Sequence, residues 1–451
     1  MEGWRKSPFL LDLLRNKSNL IIFFLKLMLE KLTQIFKIKE LRGKILFVIV
    51  MFIVFRLAAA IPVPGVNQDQ LRNFFESNQF FGLLNLFSGG GLSSISIVML
   101  GVGPYITASI IMQLLTMIVP RLEQIYKEEG EAGRQKFNQW TRWATVPLAA
   151  MQAFGMISLL RSQNILGTIS SFEMFSIVTV SVAGTVFLMW LGELITEKKI
   201  GNGVSLIIFA GIVAGLPSAL SRLSATFDSA QLFMYLLLAA VGVTAIAGVI
   251  IMTEGQRNIP VSYAKRIRGN RMYGGSSTHL PLRVNQAGVI PIIFAMSIML
   301  FPGMIANFLS SVSNQTVANI AKSVGTLFQN QIFYSSLYFI LVVAFTYFYT
   351  AVVFDPYKIS ENLQKQGGYI PGIRPGRTTA EYLYQIINRI TLSGALFLGL
   401  IAVLPFVVQG FFPSMTAISI GGTGLLIVVS VVIESMKQIE SQLIMREYEG
   451  F

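Results

Sequence analysis

FSGGGLSSISIVMLGVGPYITASIIMQLLTMIVP, residues 87–120, decides how the rest of this chain is read. The stretch is apolar, yet glycines at 89–91, 101 and 103 and Pro104 interrupt its middle. From Pro104 to Ile118 only about fifteen residues are free to run as one helix, roughly 22 Å at the usual rise. A hydrocarbon layer is ~30 Å thick. A membrane helix broken here leaves backbone groups unpaired, which is tolerated only where protein or a watery cavity covers them. The stretch therefore implies a hole, or something shaped like one, beside residues 88–106.

Working outward, the composition supports a membrane setting. Of 451 residues 53% are hydrophobic and 13% charged, and the mean hydropathy is +0.63. Such values belong to polytopic membrane proteins. The net charge of +13 resembles a nucleic-acid signal until the basic residues are located. There is no cysteine, so neither a disulfide framework nor a thiolate metal site can form. The first residues are polar and basic, and no small-residue cleavage site follows an apolar run. Residues 19–36 carry apolar residues at helical spacing with Lys26, Glu30 and Lys31 interspersed, which predicts an amphipathic helix lying on the membrane surface.

Apolar runs able to span follow at about 45–64, 94–119, 144–161, 173–195, 202–220, 231–252, 286–308, 333–354, 388–409 and 418–436. Ten spans return both termini to one side. With the N-terminus cytoplasmic, roughly 30 of the 35 Lys and Arg fall on cytoplasmic segments. Arg72, Arg161, Arg222 and Lys322 fall on outer connections, and Arg56 lies inside the first span. This asymmetry explains the basic character without nucleic acid.

Two cytoplasmic loops, 254–285 and 355–387, are too decorated to be plain connectors. The first carries Arg257, Lys265, Arg266, Arg268, Arg271 and Arg283 against the single acid Glu254. The second includes Lys365, Arg374 and Arg377, with Pro-Gly pairs at 371–372 and 375–376. Pro fixes φ and Gly allows positive φ, so PGIRPG should hold Arg374 at the tip of a stiff double turn. Charge alone fits either a loop that is basic because it is cytoplasmic or a docking surface. Length and turn chemistry favour docking of a large partner.

At these residues the chain resembles the SecY family, the central subunits of protein-translocation channels, and looks bacterial rather than archaeal or eukaryotic. The anchors are FRLAAAIPVPGV (55–66), NLFSGGGLSSISIVMLGVGPYITASIIMQLL (85–115), EEGEAGRQKFNQWTRW (128–143), FLMWLGELITEKKIGNGVSLIIFAGIVAGLP (187–217), SYAKRIRGNRMYGGSSTHLPLRVNQAGVIPIIFA (262–295), IPGIRPG (370–376) and GGTGLLIVVSVVIE (421–434).

The resemblance implies an all-α polytopic membrane protein. Its ten transmembrane helices would form two inverted-repeat five-helix halves around a central hourglass pore with a short plug helix. Residues 1–44 are then a cytoplasmic extension, 45–220 the first half with the plug at about 82–95, 221–436 the second half, and 437–451 a cytoplasmic tail. The pore ring carries over to Val102, Ile106, Ile208, Ile212, Ile293 and Ile427. The plug carries over to Gly89, Gly90, Gly91, Leu92, Ser93 and Ser94, and the polar pair of the lateral gate to Gln113 and Asn285. Polypeptide would cross the centre, or leave sideways into lipid between the second and third helices and the seventh and eighth.

The resemblance also implies SecE-like and SecG-like membrane subunits, signal sequences and nascent secretory chains as partners. A SecA ATPase motor or a translating ribosome would dock at Lys265, Arg266, Arg268, Arg271, Arg374 and Arg377. The implied location is the bacterial cytoplasmic membrane, with no cofactor, no metal and no catalytic residue. A GxxxxGK[ST] loop is absent, so energy must come from outside the chain.

Each of these positions has a physical rationale beside a plainer reading. A collar of stiff apolar side chains excludes ions by dewetting and binds no particular substrate side chain. An Ile in an apolar helix is otherwise ordinary core. Val102 in place of the family's commoner Ile removes about one methylene, ~0.8 kcal/mol of contact, and predicts a looser seal. Gly91 and Ser94 depart from the family's usual Ala and Arg, and three glycines cost ~1 kcal/mol each in a helix, which predicts a shorter or more mobile plug. Gln113 and Asn285 either pair as interhelical glue or weight a gate.

Arg56 fits snorkelling to the interface. Glu193 and Glu434 are assigned to capped or interfacial positions, and His279 to a solvated or helix-packing one. A secondary transporter also uses inverted repeats and broken helices, but normally carries buried acids or a cation site near the midplane. An intramembrane enzyme is disfavoured by the lack of HExxH, of cysteine and of a membrane-buried histidine to serve as a base.

Overall fold

The computed structural model describes residues 38–63, 96–162, 170–225, 232–263, 266–268, 271–273, 277–310, 315–411 and 422–449. The expected surface helix at 19–36, the plug and Lys265 lie outside these residues.

Each expected apolar run falls on a helix. These are α1 (Lys39–Ala60), α2 (Gly103–Ile118), α4 (Gly130–Ser162), α5 (Ser171–Glu197), α6 (Gly203–Ala225), α7 (Leu232–Glu254), α8 (Ile290–Ser310), α10 (Gln331–Val353), α12 (Arg377–Phe411) and α13 (Gly422–Glu449). Helix is the only open-chain answer to hydrocarbon, because it pairs every backbone group within the segment. Among the described residues, α1, α5, α7, α10 and α12 are long and apolar enough to cross a membrane. α2 joins them if it is taken with α3 (Pro120–Lys127), from which it is bent by 113°. α6 and α8 hold shorter apolar stretches, Gly203–Ser218 and Ile290–Met299.

Three helices overrun their expected limits. α4 begins at Gly130, well before its apolar part, α12 begins at Arg377, and α13 continues to Glu449 through the segment expected as a tail. In each case a charged segment with good helix formers extends a helix already nucleated by an apolar one. Among the described residues three helices were not expected at all, α3, α9 (Gln315–Gln329) and α11 (Pro356–Lys365).

The loops after α7 and α10 are also more ordered than turn chemistry alone predicts. β1 (Gln256–Tyr263) pairs antiparallel with β4 (Ser277–Arg283) and with β5 (Gly368–Tyr369), in the order β4-β1-β5. β2 (Arg266–Arg268) and β3 (Arg271–Tyr273) form a separate two-stranded ribbon. Ile259, Val261 and Leu282 of the sheet bury themselves against Leu383, Ile386 and Ile387 of α12, giving a small second core.

The main core joins helices from the whole length of the chain. α1 packs on α5 and α6, and α2 and α4 pack together and on α5. In the later part α8, α10 and α12 pack in series, while α13 contacts α7 and α12. Helices before and after residue 221 meet along two lines, α2 and α4 against α8, and α6 against α13.

Candidate functional site

The break that the sequence shows before Pro104 is covered by protein. Residues 96–102 form successive tight turns, with Met99 N–H donating to the Ser96 carbonyl (2.9 Å) and Gly101 N–H to the Val98 carbonyl (2.8 Å). Ile97 N–H donates to the Ile61 carbonyl (3.1 Å), tying this turn to the end of α1. Gly101 takes φ 56°, the left-handed region that glycine enters without strain. Ser96, Val98, Met99 and Val102 are all buried. α5 approaches so closely at Gly184 that any Cβ there would collide with the Ile97 carbonyl.

α2 starts directly from this turn, with Val102 at its N-cap and Pro104 in its first turn, where the missing N–H costs nothing. Val102 and Ile106 therefore point from the α2 start into the same core as Ile208 and Ile212 of α6, Ile293 of α8 and Ile427 of α13. All six expected ring residues are buried, none more than 7% exposed. A Cβ on Gly424 would sit 3.5 Å from Ile212, so α6 and α13 approach closely beside this cluster.

The α5–α6 connection sets the height of Ile208 and Ile212. Lys199 adopts φ 58°, and Gly203 N–H donates to Thr196 Oγ1 (2.9 Å). Asn202 Oδ1 accepts from Ser205 N–H (3.1 Å), capping α6. A Cβ on Gly203 would strike the Gly192 carbonyl. Gln442 of α13 donates to the Lys199 carbonyl and accepts from Lys44 Nζ of α1 (3.0 Å). Sequence reasoning missed Gln442, because nothing local marks a residue whose partners lie at the other end of the chain.

Of the two expected gate residues Gln113 stands on α2 and Asn285 in the turn before α8, two helices that touch, but the residues do not bond each other. Gln113 Nε2 donates to Ser109 Oγ (3.2 Å) on its own helix. Asn285 Nδ2 donates to the Gly288 carbonyl (3.1 Å), closing the turn that leads into α8. Gln113 Oε1 and Asn285 Oδ1 are buried with no partner. The direct pair expected as interhelical glue is thus absent, because each amide donates within its own segment. Two orphaned acceptors beside one seam cost about 1–3 kcal/mol each.

Glu193 is held by Arg142, Nε to Oε1 at 2.7 Å, which joins α4 to α5. Arg56 is exposed near the end of α1, and His279 is exposed on β4 opposite Pro260.

The expected docking residues that are described lie within the two loops or, for Arg377, at the start of α12. Gly372 and Gly376 have φ 81° and 96°, and Ile373 N–H closes the first turn on the Ile370 carbonyl (3.0 Å). Arg374 is exposed between the turns. Thr379 Oγ1 donates to the Arg374 carbonyl (2.9 Å), and Ser360 Oγ of α11 donates to the Gly376 carbonyl (2.6 Å). Asp355 caps α11 through Tyr357 and Lys358 N–H (3.0 and 3.2 Å). The Asp-Pro pair at 355–356 is a legible helix-start signal that the sequence reading passed over. Arg377 is paired with Glu381 at 3.0 Å. The backbones of Arg266, Arg268 and Arg271 lie on the β2–β3 ribbon, with Arg268 opposite Arg271. On α11 the Lys365 hydrogen bond holds the Glu361 carboxyl below its usual range.

The chain has known relatives. The family model described as SecY matches residues 96–436. A Protein translocase subunit SecY of Halalkalibacterium halodurans is 46% identical over 434 residues, covering 94% of this chain and 100% of that protein. The chain belongs to the SecY family.

Another SecY relative, from Thermotoga maritima, is 45% identical over 427 residues, covering 92% of this chain and 96% of its own. Among solved structures, one described as "The structure of a protein conducting channel" superposes with a TM-score of 0.61 at 17% identity, covering 88% of this chain and 91% of that one. One described as "Sec61 in the Canine ribosome-channel complex from the endoplasmic reticulum" gives 0.59 at 17% identity, with the same coverage. As a SecY-family member the chain is a multi-pass membrane protein of a translocation channel, not an enzyme.

Proposed function

We propose that this SecY-family chain conducts unfolded secretory polypeptides across the bacterial cytoplasmic membrane and releases apolar helices sideways into it. The observation that supports this reading is that Val102, Ile106, Ile208, Ile212, Ile293 and Ile427 are all buried within the one core that joins helices from both parts of the chain. They come from helices on both sides of residue 221, so parting the two helix groups opens the cluster. Closed, their branched side chains leave no room for a hydrated ion. Open, they offer a passing chain only apolar contact, which suits any sequence.

In this reading the chain spans ten times, with both termini cytoplasmic and two halves, 45–220 and 221–436. The contacts of α2 and α4 with α8 are the closed lateral gate, and the α6–α13 contact is the opposite, hinge side. Gln113 and Asn285 make the gate metastable, because their unpartnered carbonyls lose nothing when it parts. Residues 82–95 serve as the plug. SecE-like and SecG-like subunits complete the complex.

The knob carrying Arg374 and the β2–β3 ribbon docks a SecA-type motor or a ribosome, both attracted by its cations. A likeness to ribosome-bound channels supports that role. The deciding experiment places a photocrosslinker at Ile106 or Ile293 and arrests a secretory chain during export. The expected result is a crosslink to the arrested chain at both positions. Labelling by lipid alone would reject the proposal.

A further inference from the structure

α9 has no part in the channel reading. Its apolar residues Val317, Ile320, Ala321, Val324, Leu327 and Phe328 recur at intervals of three and four, which places them on one stripe. The protein covers only part of that stripe. Ala321 is buried, and the Phe328 ring meets Phe333 of α10 edge-on at 5.6 Å, while α9 packs along α8. Ile320 and Leu327, seven residues apart on the remaining edge, are 63% and 52% exposed. At 100° per residue they lie between the packed residues on one side and Thr316, Asn319, Ser323 and Thr326 on the other. Those four polar residues are exposed. The helix thus has three sectors in order: protein, bare apolar, polar.

What covers the bare sector follows from its neighbours. α10 begins at Gln331 directly after Asn330, whose Oδ1 accepts from Ile332 and Phe333 N–H. Ile332 and Ile340 on this membrane-length helix are 77% and 60% exposed, as lipid-facing residues are. The exposed α9 edge thus belongs to the segment that runs directly into a helix with lipid-facing residues at its start. α8 starts beside the β4-β1-β5 sheet and α9 follows its far end, so α9 lies at the face away from the sheet.

We propose that α9 is an interfacial helix, with Ile320 and Leu327 sunk at the headgroup–acyl boundary of the leaflet remote from the sheet. An amphipathic helix with few charges rests at this depth, apolar edge down and polar edge in water. The proposal rests on the membrane-spanning reading of α10. Because α9 joins α8 to α10, it gives the outer leaflet a hold on α8, the helix that meets α2 across the proposed gate.

The absence of cysteine allows single labels. Ile320→Cys, Leu327→Cys, Asn319→Cys, Ser323→Cys and Ile340→Cys would each carry an environment-sensitive fluorophore. The assembled translocase is placed in vesicles of phosphatidylethanolamine and phosphatidylglycerol, with or without nitroxide lipids. Labels at 320 and 327 are expected to be quenched several-fold less by iodide than those at 319 and 323, and to be quenched by nitroxide lipid. Equal iodide quenching at all four positions overturns the proposal, and so does shielding of 320 and 327 from both quenchers, the mark of a protein partner. A label at 340 that nitroxide lipid quenches confines such a failure to α9. One that it does not quench removes the spanning reading as well.

Discussion

Arg374 owes its position to groups that are not themselves charged. Positive φ at Gly372 and Gly376 and hydrogen bonds from Thr379 and Ser360 fix the backbone around it, leaving the side chain exposed. Reversing its charge should leave the fold intact and remove the attraction for an acidic or phosphate-rich partner. Arg374→Glu is therefore expected to abolish motor-driven export in vesicles while the protein keeps its detergent-extracted melting temperature. Export at the normal rate would remove Arg374 from the docking surface. Gly203 makes the opposite kind of prediction. A methyl there meets the Gly192 carbonyl, and neither helix end can retreat without losing the Gly203–Thr196 bond. Gly203→Ala should cost about 1–3 kcal/mol, read as a lower thermal midpoint, with Gly242→Ala, which meets open space, as the neutral control.

Helices were legible where an apolar run exceeds about eighteen residues, because hydrocarbon leaves the backbone no alternative. Strands were not. β5 is two residues long, and its partner β1 lies on the other side of four helices in sequence, so no periodic signal links them. α9 escaped notice for a related reason, since its stripe is diluted by Thr, Asn and Ser. The candidate ring was legible only through family motifs, and the split of Gln113 and Asn285 into separate hydrogen bonds was not legible at all. That split suggests a test of the α2–α8 seam. Gln113→Leu and Asn285→Leu each replace an orphaned carbonyl with apolar contact, so the closed seam should gain stability. Export of a substrate with a weak signal sequence is expected to fall several-fold in both, measured against a strong-signal control. Unchanged export in both variants would leave the residues without a gating role.

Two groups of helices meet along two lines, and the proposed motion parts only one of them. On the α6–α13 side, a Cβ at Gly201 would approach Ser435 Oγ at 2.8 Å, and Gln442 spans α1, the α5–α6 turn and α13. Gly201→Cys combined with Ser435→Cys should form a disulfide that leaves export close to the unmodified rate, because a hinge turns without its two sides separating. Loss of export on oxidation, restored by reductant, would show that this side must open too. Widening the central cluster instead should break its seal. Ile106→Gly together with Ile293→Gly is expected to raise ion conductance in planar bilayers without any substrate present.

The pairing of β5 with β1 has a mechanical result. Force applied to the Arg374 turn by a partner docked as proposed would not stay in its own loop. It would pass through β5 into β1 and β4, and so reach the ends of α7, α8 and α12 together. If a partner docks there as proposed, the knob would act as a yoke, with a tug on it reaching three neighbouring helices, including the one that lines the seam.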